Sequence, residues 1–180
     1  MNQPDAHMLF PPPGHAKAPV VLALPTPQAT TDLAEWLAPR LGPGDVLLLS
    51  GEIGAGKTHF ARKLIQARLA ALGRAEDVPS PTFTLVQVYD VGDSEIWHSD
   101  LYRLTSADEA VELGLTEAFD TAICLVEWPD RLGDLAPAKA LGMHFSDGPE
   151  PDSRLLTLSF SDLRWGVLID ALPIERQRNV

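Results

Sequence analysis

The sequence predicts an α/β protein in which helices flank a mixed sheet, and three observations support this fold class. In the first half of the chain, apolar strand-like runs alternate with helical segments, as in sheets whose parallel strands are joined by helices. In the second half, strand-like runs follow one another across turn sequences, which indicates β-hairpins in the middle and C-terminal parts. A glycine-rich phosphate-binding loop follows a buried strand, so the predicted architecture is P-loop NTPase-like.

The phosphate-binding loop lies within residues 45–58, which read DVLLLSGEIGAGKT. Glycines allow backbone angles at which successive N–H groups converge on phosphate oxygens, and the following helix points its positive dipole end at the same anion. Lys57 would bring its charge to the β- and γ-phosphates, and Thr58 would offer its hydroxyl to Mg²⁺. A chance glycine-rich turn is the alternative, but a strand before and a helix after the loop favour the motif. The predicted nucleotide-binding residues here are Gly51, Gly54, Ala55, Gly56, Lys57, Thr58 and His59.

The predicted elements follow from hydrophobic periodicity and from capping and turn residues. A Thr26-Pro27 pair marks the start of the first helix, and Gly42-Pro43 marks its end. A Ser106–Glu109 capping box opens a short helix that Gly114 ends. Strands are expected at 20–24, 46–50, 83–89, 95–99 and 122–126, a C-terminal hairpin at 141–145 and 156–160, and a last helix at 163–172.

Composition limits what kind of protein this is. The 180 residues are 45% apolar and 22% charged, with a net charge of −11, so tight non-specific binding to nucleic acid by this chain alone is not expected. The single cysteine, Cys124, precludes an internal disulfide, and no apolar run approaches the roughly 18 residues of a membrane helix. We therefore expect a cytoplasmic protein that does not contact membranes.

The distribution of proline suggests the domain organisation. Residues 1–18 are rich in proline and are expected to form a flexible arm. Residues 19–175 are expected to form a single P-loop ATPase domain, followed by a polar tail at residues 176–180.

Two acidic residues follow predicted strands, where ligands of such sheets bind. Asp100 follows the strand ending in His98-Ser99, and Glu127 follows the strand containing Cys124. Mg²⁺ bound to a nucleotide usually takes one or two carboxylates. One of these acids would hold the metal while the other orients water, and the sequence leaves open which does which; a turn-forming Asp100 and a surface Glu127 are the alternatives.

Several other residues near these acids are candidates for the functional site, on less specific sequence signals. The hydroxyls of Ser80 and Thr82 could reach the γ-phosphate or Mg²⁺, as a switch segment does, or could simply belong to a strand. His98 lacks the further His or Cys ligands of a zinc site and is interpreted as a packed histidine that orients its neighbours. Trp128 could stack on a ligand or anchor a partner, and Arg103 and Arg131 could contact phosphate or lie on the surface.

The combination of motifs resembles the TsaE family, small bacterial ATPases required for threonylcarbamoyladenosine formation in tRNA. The resemblance covers roughly residues 24–132 and is carried by GEIGAGKT, SPTFTLVQVY, HSDLYRL, ELGL and ICLVEWPDRL. It implies a mixed-sheet P-loop fold that binds and hydrolyses ATP with Mg²⁺. It also implies partners of the TsaD and TsaB type, which modify adenosine 37 of tRNAs reading codons that start with A, so that this chain reaches tRNA only indirectly.

The resemblance also implies roles for individual residues. Lys57 and Thr58 match the phosphate and Mg²⁺ residues, Asp100 matches a metal-associated aspartate, and Glu127 and Trp128 match a functional pair. The predicted catalytic residues are thus Lys57, Asp100 and Glu127, the metal residues Thr58, Asp100 and Glu127, and the further nucleotide-binding residues Thr82 and Trp128. Residues 26–30 match a stretch near the adenine, Ser80 and Thr82 match a switch-like segment, and Arg154 is a further nucleotide candidate. Glu52 and His59 depart from the usual Asp and Thr without changing the required loop positions.

Two other functions remain open from the sequence alone. A small-molecule kinase can share the phosphate-binding loop, although this chain has no segment with two or more arginines close together for the usual lid. A non-catalytic adaptor that binds ATP and partners without needing hydrolysis is the second. A GTPase is disfavoured because guanine recognition commonly uses N-K-x-D, and the chain's asparagines are Asn2 and Asn179.

Overall fold

A computed structural model describes residues 18–174 of the chain. The expected arm, apart from Ala18, and the expected polar tail lie outside the described residues. The strands are β1 (Val20–Leu24), β2 (Val46–Ser50), β3 (Val86–Asp90), β4 (Glu95–Asp100), β5 (Ile123–Glu127), β6 (Leu141–Asp147) and β7 (Arg154–Ser159). The α-helices are α1 (Pro27–Leu37), α2 (Lys57–Ala70), α3 (Asp108–Glu112), α4 (Leu115–Thr121) and α5 (Leu163–Asp170), and short 3₁₀ segments span Ala38–Arg40 and Pro129–Leu135.

The seven strands form one mixed sheet in the order β1-β7-β6-β2-β5-β4-β3. β2 lies between β5 and β6 and is parallel to both, and β4 is parallel to β5. The pairs β3–β4, β6–β7 and β1–β7 are antiparallel. The mixed sheet and its two predicted hairpins are confirmed, and the carboxyl ends of β2, β5 and β4 lie side by side.

Both faces of the central strands are covered, which explains their uninterrupted apolar sequences. In β2, Leu47 and Leu49 pack in a cluster that includes residues of α1, α2 and α5. The alternate residues Val46 and Leu48 pack in a second cluster that includes residues of α3 and α4. Successive side chains of a strand point to opposite faces, so a run of four apolar residues supplies both hydrophobic layers.

Local signals position the helices as the sequence predicts, with one addition. The Thr26 hydroxyl accepts a hydrogen bond from the Ala29 N–H at 3.2 Å, so it caps α1. Gly114, with φ +81°, ends the short helix α3 as expected but also serves as the N-cap of α4. The prediction missed α4 because a glycine that terminates one helix gives no local sign that another begins at once.

The predicted strand at 83–89 is partly wrong. Regular pairing begins only at Val86, and Leu85 has φ +66°. The Leu85 N–H donates to the Pro81 carbonyl at 2.7 Å, which closes a turn over residues 81–85. The β-branched and aromatic residues at 83–85 favour a strand. They form a turn instead, because the left-handed conformation of Leu85 is incompatible with an extended strand.

Within the described part of the chain, none of the helices is long and apolar enough to span a membrane.

Candidate functional site

A cleft of about 470 Å³ opens at the carboxyl ends of β2, β4 and β5, in the size range of ligand pockets. Parallel α/β sheets bind ligands at this edge because the loops that leave the strands converge there. The residues that line the cleft are Ile53, Gly54, Gly56, Lys57, Thr58, His59, Thr82, Asp100, Tyr102, Glu127 and Trp128.

The phosphate-binding loop joins β2 to α2 and requires glycine where the backbone is crowded or left-handed. At Gly51 a Cβ atom would lie 2.3 Å from the Phe145 carbonyl oxygen, so a side chain there would collide with β6. Gly56 has φ +107° and is the N-cap of α2. Gly51 and buried Ala55 are not among the cleft-lining residues, and their contribution to nucleotide binding stays a prediction.

Lys57 is the first residue of α2, and its side chain reaches back to the start of the loop. Its ammonium donates to the carbonyl oxygens of Gly51 at 2.6 Å and Glu52 at 2.8 Å, and it lies 4.2 Å from the centre of the Trp128 ring. Burial lowers the pKa of the Lys57 ammonium, while the negative charges of Glu127, Asp100 and Glu52 act in the opposite direction. A largely buried positive charge thus lines the cleft.

Glu127 is held on both sides. The Thr58 hydroxyl donates to its Oε2 at 2.8 Å, and Nε2 of His98 lies 2.8 Å from its Oε1. Only 2% of Glu127 is exposed and His98 is fully buried, which rules out the alternative of a surface acid. The expectation that His98 is a packed histidine is confirmed, and the neighbour it contacts is Glu127.

Asp100 has different neighbours. Its Oδ2 accepts from the Thr82 hydroxyl at 3.2 Å, and its Oδ1 accepts from the Tyr102 N–H at 3.0 Å. The Ser80 hydroxyl lies 2.7 Å from that of Thr82, so the segment that the sequence singles out as switch-like does reach a site carboxylate. Its bond to the Tyr102 N–H two residues on is that of a turn-forming aspartate, but Asp100 is also 6% exposed and lines the cleft.

The donor atoms at this edge suit Mg²⁺ completed by a nucleotide. Thr58, Asp100 and Glu127 supply a hydroxyl and two carboxylates, which are hard oxygen ligands. Across residues 18–174, no group of three or more His, Cys, Asp and Glu side chains could hold a metal ion by itself. A small carboxylate set fits an ion that takes its remaining ligands from phosphate and water.

His59 and Trp128 both line the cleft. His59 Nε2 lies 3.1 Å from the Thr31 hydroxyl and 3.3 Å from the Pro27 carbonyl oxygen, which ties the start of α2 to the first turns of α1. The stretch at residues 26–30 is thereby brought next to the site. The Trp128 ring packs against Tyr102 with ring centres 4.8 Å apart.

Arg154 is a neighbour of the loop that no local sequence pattern reveals. From β7 it donates through Nε to the Ala55 carbonyl at 3.0 Å and through a terminal nitrogen to the Gly54 carbonyl at 3.2 Å. It thus braces the loop. Arg103 donates to the Phe83 carbonyl at 3.1 Å, in the turn before β3. Arg131 lies 3.8 Å from Asp130, its neighbour in the 3₁₀ segment after β5.

Tyr102 and Ile53 also line the cleft and were not predicted as site residues. Tyr102 lies within the HSDLYRL motif, so its place two residues after Asp100 was an available signal. Ile53 is an unconstrained position of the loop motif, and nothing in the motif itself points to it.

Comparisons of the sequence with a family model and with known proteins point to the same family. The sequence model described as "Threonylcarbamoyl adenosine biosynthesis protein TsaE" matches residues 24–155. A Rickettsia felis protein named "tRNA threonylcarbamoyladenosine biosynthesis protein TsaE" is 42% identical over 115 residues, 64% of this chain and 66% of that protein. A Bacillus subtilis protein of the same name is 35% identical over 147 residues, 81% of this chain and 89% of that protein.

A solved structure agrees with this result. The crystal structure of Bacillus subtilis YdiB superposes with a TM-score of 0.68 at 28% sequence identity, covering 87% of this chain and 95% of that one. Since the family match spans most of the chain and includes the loop and both acidic strand ends, this chain belongs to the TsaE family.

Proposed function

We propose that this protein binds ATP with Mg²⁺ in the cleft and hydrolyses it in support of threonylcarbamoyladenosine formation. The modification would lie at position 37 of tRNAs that read codons starting with A. The protein would act in the cytoplasm with partner proteins of the TsaD and TsaB type. The family and the names of its relatives support the place in tRNA modification, and the site supports the nucleotide chemistry.

The observation that carries the proposal is the position of Thr58 between the phosphate-binding loop and Glu127. Thr58 follows Lys57 in the first turn of α2, and its hydroxyl donates to a buried carboxylate at 2.8 Å. In P-loop nucleotide hydrolases a Ser or Thr at this position and an acid from a neighbouring strand share the metal. Here β5, which carries Glu127, lies directly beside β2.

The residues of the chain then have separate tasks. Loop N–H groups and the N-terminus of α2 would cradle the phosphates, and the Lys57 ammonium would exchange its two loop carbonyls for phosphate oxygens. Thr58, Glu127 and Asp100 would hold Mg²⁺ and the attacking water. When bound, Mg²⁺ would neutralise charge on the phosphate oxygens. The Trp128 ring would cover the lysine and exclude water from its side.

Phosphate release from ATP by the purified chain tests the proposal, with K57A as the key variant. A charge-assisted contact is worth about 1.5–3 kcal/mol, so we expect K57A to lose at least about tenfold in ATP affinity or turnover. K63A, which removes another lysine of α2 away from the cleft, serves as the matched control.

Unchanged hydrolysis in K57A would refute the assignment of the cleft. ATP binding without phosphate release, even with partner proteins added, would favour the adaptor. Transfer of phosphate to a small acceptor instead of water would favour the kinase.

A further inference from the structure

The carboxylate of Glu127, at the edge of the cleft, has a polar partner at each of its two oxygens. His98 Nε2 lies 2.8 Å from one oxygen, and the Thr58 hydroxyl lies 2.8 Å from the other. The terminal torsion of a glutamate is otherwise broad, with no sharp rotamer preference. Two hydrogen bonds from opposite sides therefore fix the plane of the carboxylate as well as its position.

The hydrogen-bond pattern also indicates which imidazole nitrogen carries the proton. An ionised carboxylate can only accept hydrogen bonds, so the nitrogen that faces Glu127 must donate. The other ring nitrogen, Nδ1, is buried without a hydrogen-bond partner among the described residues. A proton on Nδ1 in place of Nε2 would leave that donor unpaired and would set a lone pair against the carboxylate, and both are unfavourable in a buried site.

The strand geometry explains why this histidine lies two residues before Asp100. Asp100 is the direct partner of Glu127 across the parallel pair β4–β5, and His98 is the partner of Leu125. Residues two apart share a face of a strand, so His98 and Asp100 lie on one face with Glu127. The spacing His-x-Asp thus lets a single strand bring one carboxylate to the cleft and orient another.

We propose that His98 is a positioning residue that donates from Nε2 to Glu127 and fixes the carboxylate so that its second oxygen meets Thr58. His98 has no exposed surface and is not among the cleft-lining residues, so it acts through Glu127. The expected effect on ATP hydrolysis rests on the proposed function. The orientation of Glu127 and the location of the proton on His98 are independent of that function.

Kinetics of three variants test the catalytic consequence. H98L fills a similar space without a donor, whereas H98Q places an amide N–H close to the position of Nε2. Since partners that orient metal ligands are worth about 10–100-fold in metal affinity or activity, we expect H98L to lower kcat at subsaturating Mg²⁺ by that amount, with a smaller change in the KM for ATP. We expect H98Q to regain most of the loss. S99A is the matched control, because Ser99 is equally buried on the same strand but faces the other side of the sheet.

A second measurement uses the protein without nucleotide. Nitrogen-15 NMR of the imidazole distinguishes the two neutral tautomers, and we expect the His98 proton on Nε2, with a signal that shifts in E127Q. An imidazole protonated only on Nδ1 would overturn the proposal. So would an H98L variant with wild-type kcat, or an H98Q variant as slow as H98L at unchanged stability in urea.

The two measurements also separate this inference from the proposed function. If the wild-type protein released no phosphate from ATP, the proposed function would fail, while the NMR measurement would still support or refute the hydrogen bond. If the wild-type protein were active and H98L equally active, the proposed function would stand and the role of His98 would be wrong.

Discussion

Asp100 and Glu127 are direct partners across the parallel strands β4 and β5, yet their carboxylates bind different parts of the site. Glu127 accepts from Thr58 in the phosphate-binding loop, whereas Asp100 accepts from Thr82 and from the Tyr102 N–H. The sequence left open which acid would hold the metal. The contact with Thr58 favours Glu127 for the metal, and the contact with Thr82 favours Asp100 for water and the switch-like segment.

This division predicts different defects in E127Q and D100N. We expect E127Q to raise the Mg²⁺ concentration needed for nucleotide binding about 10–100-fold, as loss of a metal-holding contact does. D100N should change that requirement less and should mainly lower kcat. Fluorescent-nucleotide binding at varied Mg²⁺, followed by phosphate release at saturating Mg²⁺, measures both quantities. Equal defects of the two variants in both assays would contradict the division.

The site could be predicted from sequence to the extent that its residues follow local motifs. Lys57, Asp100 and Glu127 follow strands in recognisable contexts, and all three line the cleft. Arg154 braces the loop from about 100 residues away in the chain. The β6–β7 hairpin that carries it was predicted, but it reaches the loop because β6 lies beside β2. Periodicity does not encode that sheet order, so the contact could not be derived from the sequence.

The burial of Glu127 could not be predicted from the sequence either, because it depends on the tertiary structure. The sequence alone allowed Glu127 to be a surface acid, because a carboxylate after a strand commonly faces water. It is buried because α2 begins beside β5 and places the Thr58 hydroxyl against it. The turn at residues 81–85 is a comparable case. The contact between Thr82 and Asp100 requires this turn, and the sequence instead predicted that β3 starts earlier than Val86.

Cys124 provides a probe of nucleotide binding that is independent of hydrolysis. It is the single cysteine of the chain and is buried in β5, and burial raises the pKa of its thiol to about 12. The thiolate is the reactive form, so we expect negligible labelling by a thiol reagent at neutral pH until the protein unfolds. A ligand that binds only the folded state slows such labelling by a factor of about 1 + [L]/Kd.

Labelling rates in low urea, with and without ATP and Mg²⁺, test this expectation. Wild-type protein should be protected by the nucleotide, and K57A should be protected much less. Rapid labelling of the native protein without urea would show that Cys124 is accessible in the folded state.

His144 makes stability depend on pH in a predictable direction. Its Nδ1 lies 3.0 Å from the Ser50 hydroxyl, and burial, together with the positive charge of Lys57, lowers the pKa of the imidazole. The unfolded chain, with an ordinary histidine pKa of about 6.5, therefore binds the proton more tightly than the folded one. The contribution of His144 to the free energy of unfolding thus falls as pH drops below about 6.5.

Urea denaturation of wild type and H144Q, compared between about pH 5 and pH 8, isolates this effect because other titrating groups are common to both proteins. H144Q should gain stability relative to wild type as pH falls. A difference between the two proteins that stays constant over this range would contradict the assignment.

Dependence on partner proteins is expected to involve the rim of the cleft. In P-loop hydrolases an arginine supplied in cis or by a partner is worth about 10³–10⁵ in turnover. Arg103 contacts the Phe83 carbonyl and Arg131 contacts Asp130, and neither arginine is among the cleft-lining residues. We therefore expect slow hydrolysis by this chain alone and a marked rise with a transferase complex of the TsaD and TsaB type. From the sequence, Trp128 could stack on a ligand or anchor a partner. Because its ring also lies against Lys57, W128A should weaken both ATP binding and stimulation.

A substitution at Phe83 can separate stimulation by partners from ATP binding. The Phe83 side chain is 82% exposed, follows Thr82 in the chain and is not among the cleft-lining residues. Exposed aromatic side chains are frequent anchors of protein interfaces. We therefore expect F83A to lower partner-stimulated phosphate release while leaving ATP binding by the isolated chain unchanged. V167A, which trims another exposed apolar residue on α5, is the matched control. If F83A were stimulated as strongly as V167A, partner docking at this rim would be wrong. If F83A bound ATP less tightly in isolation, its side chain would belong to the nucleotide site.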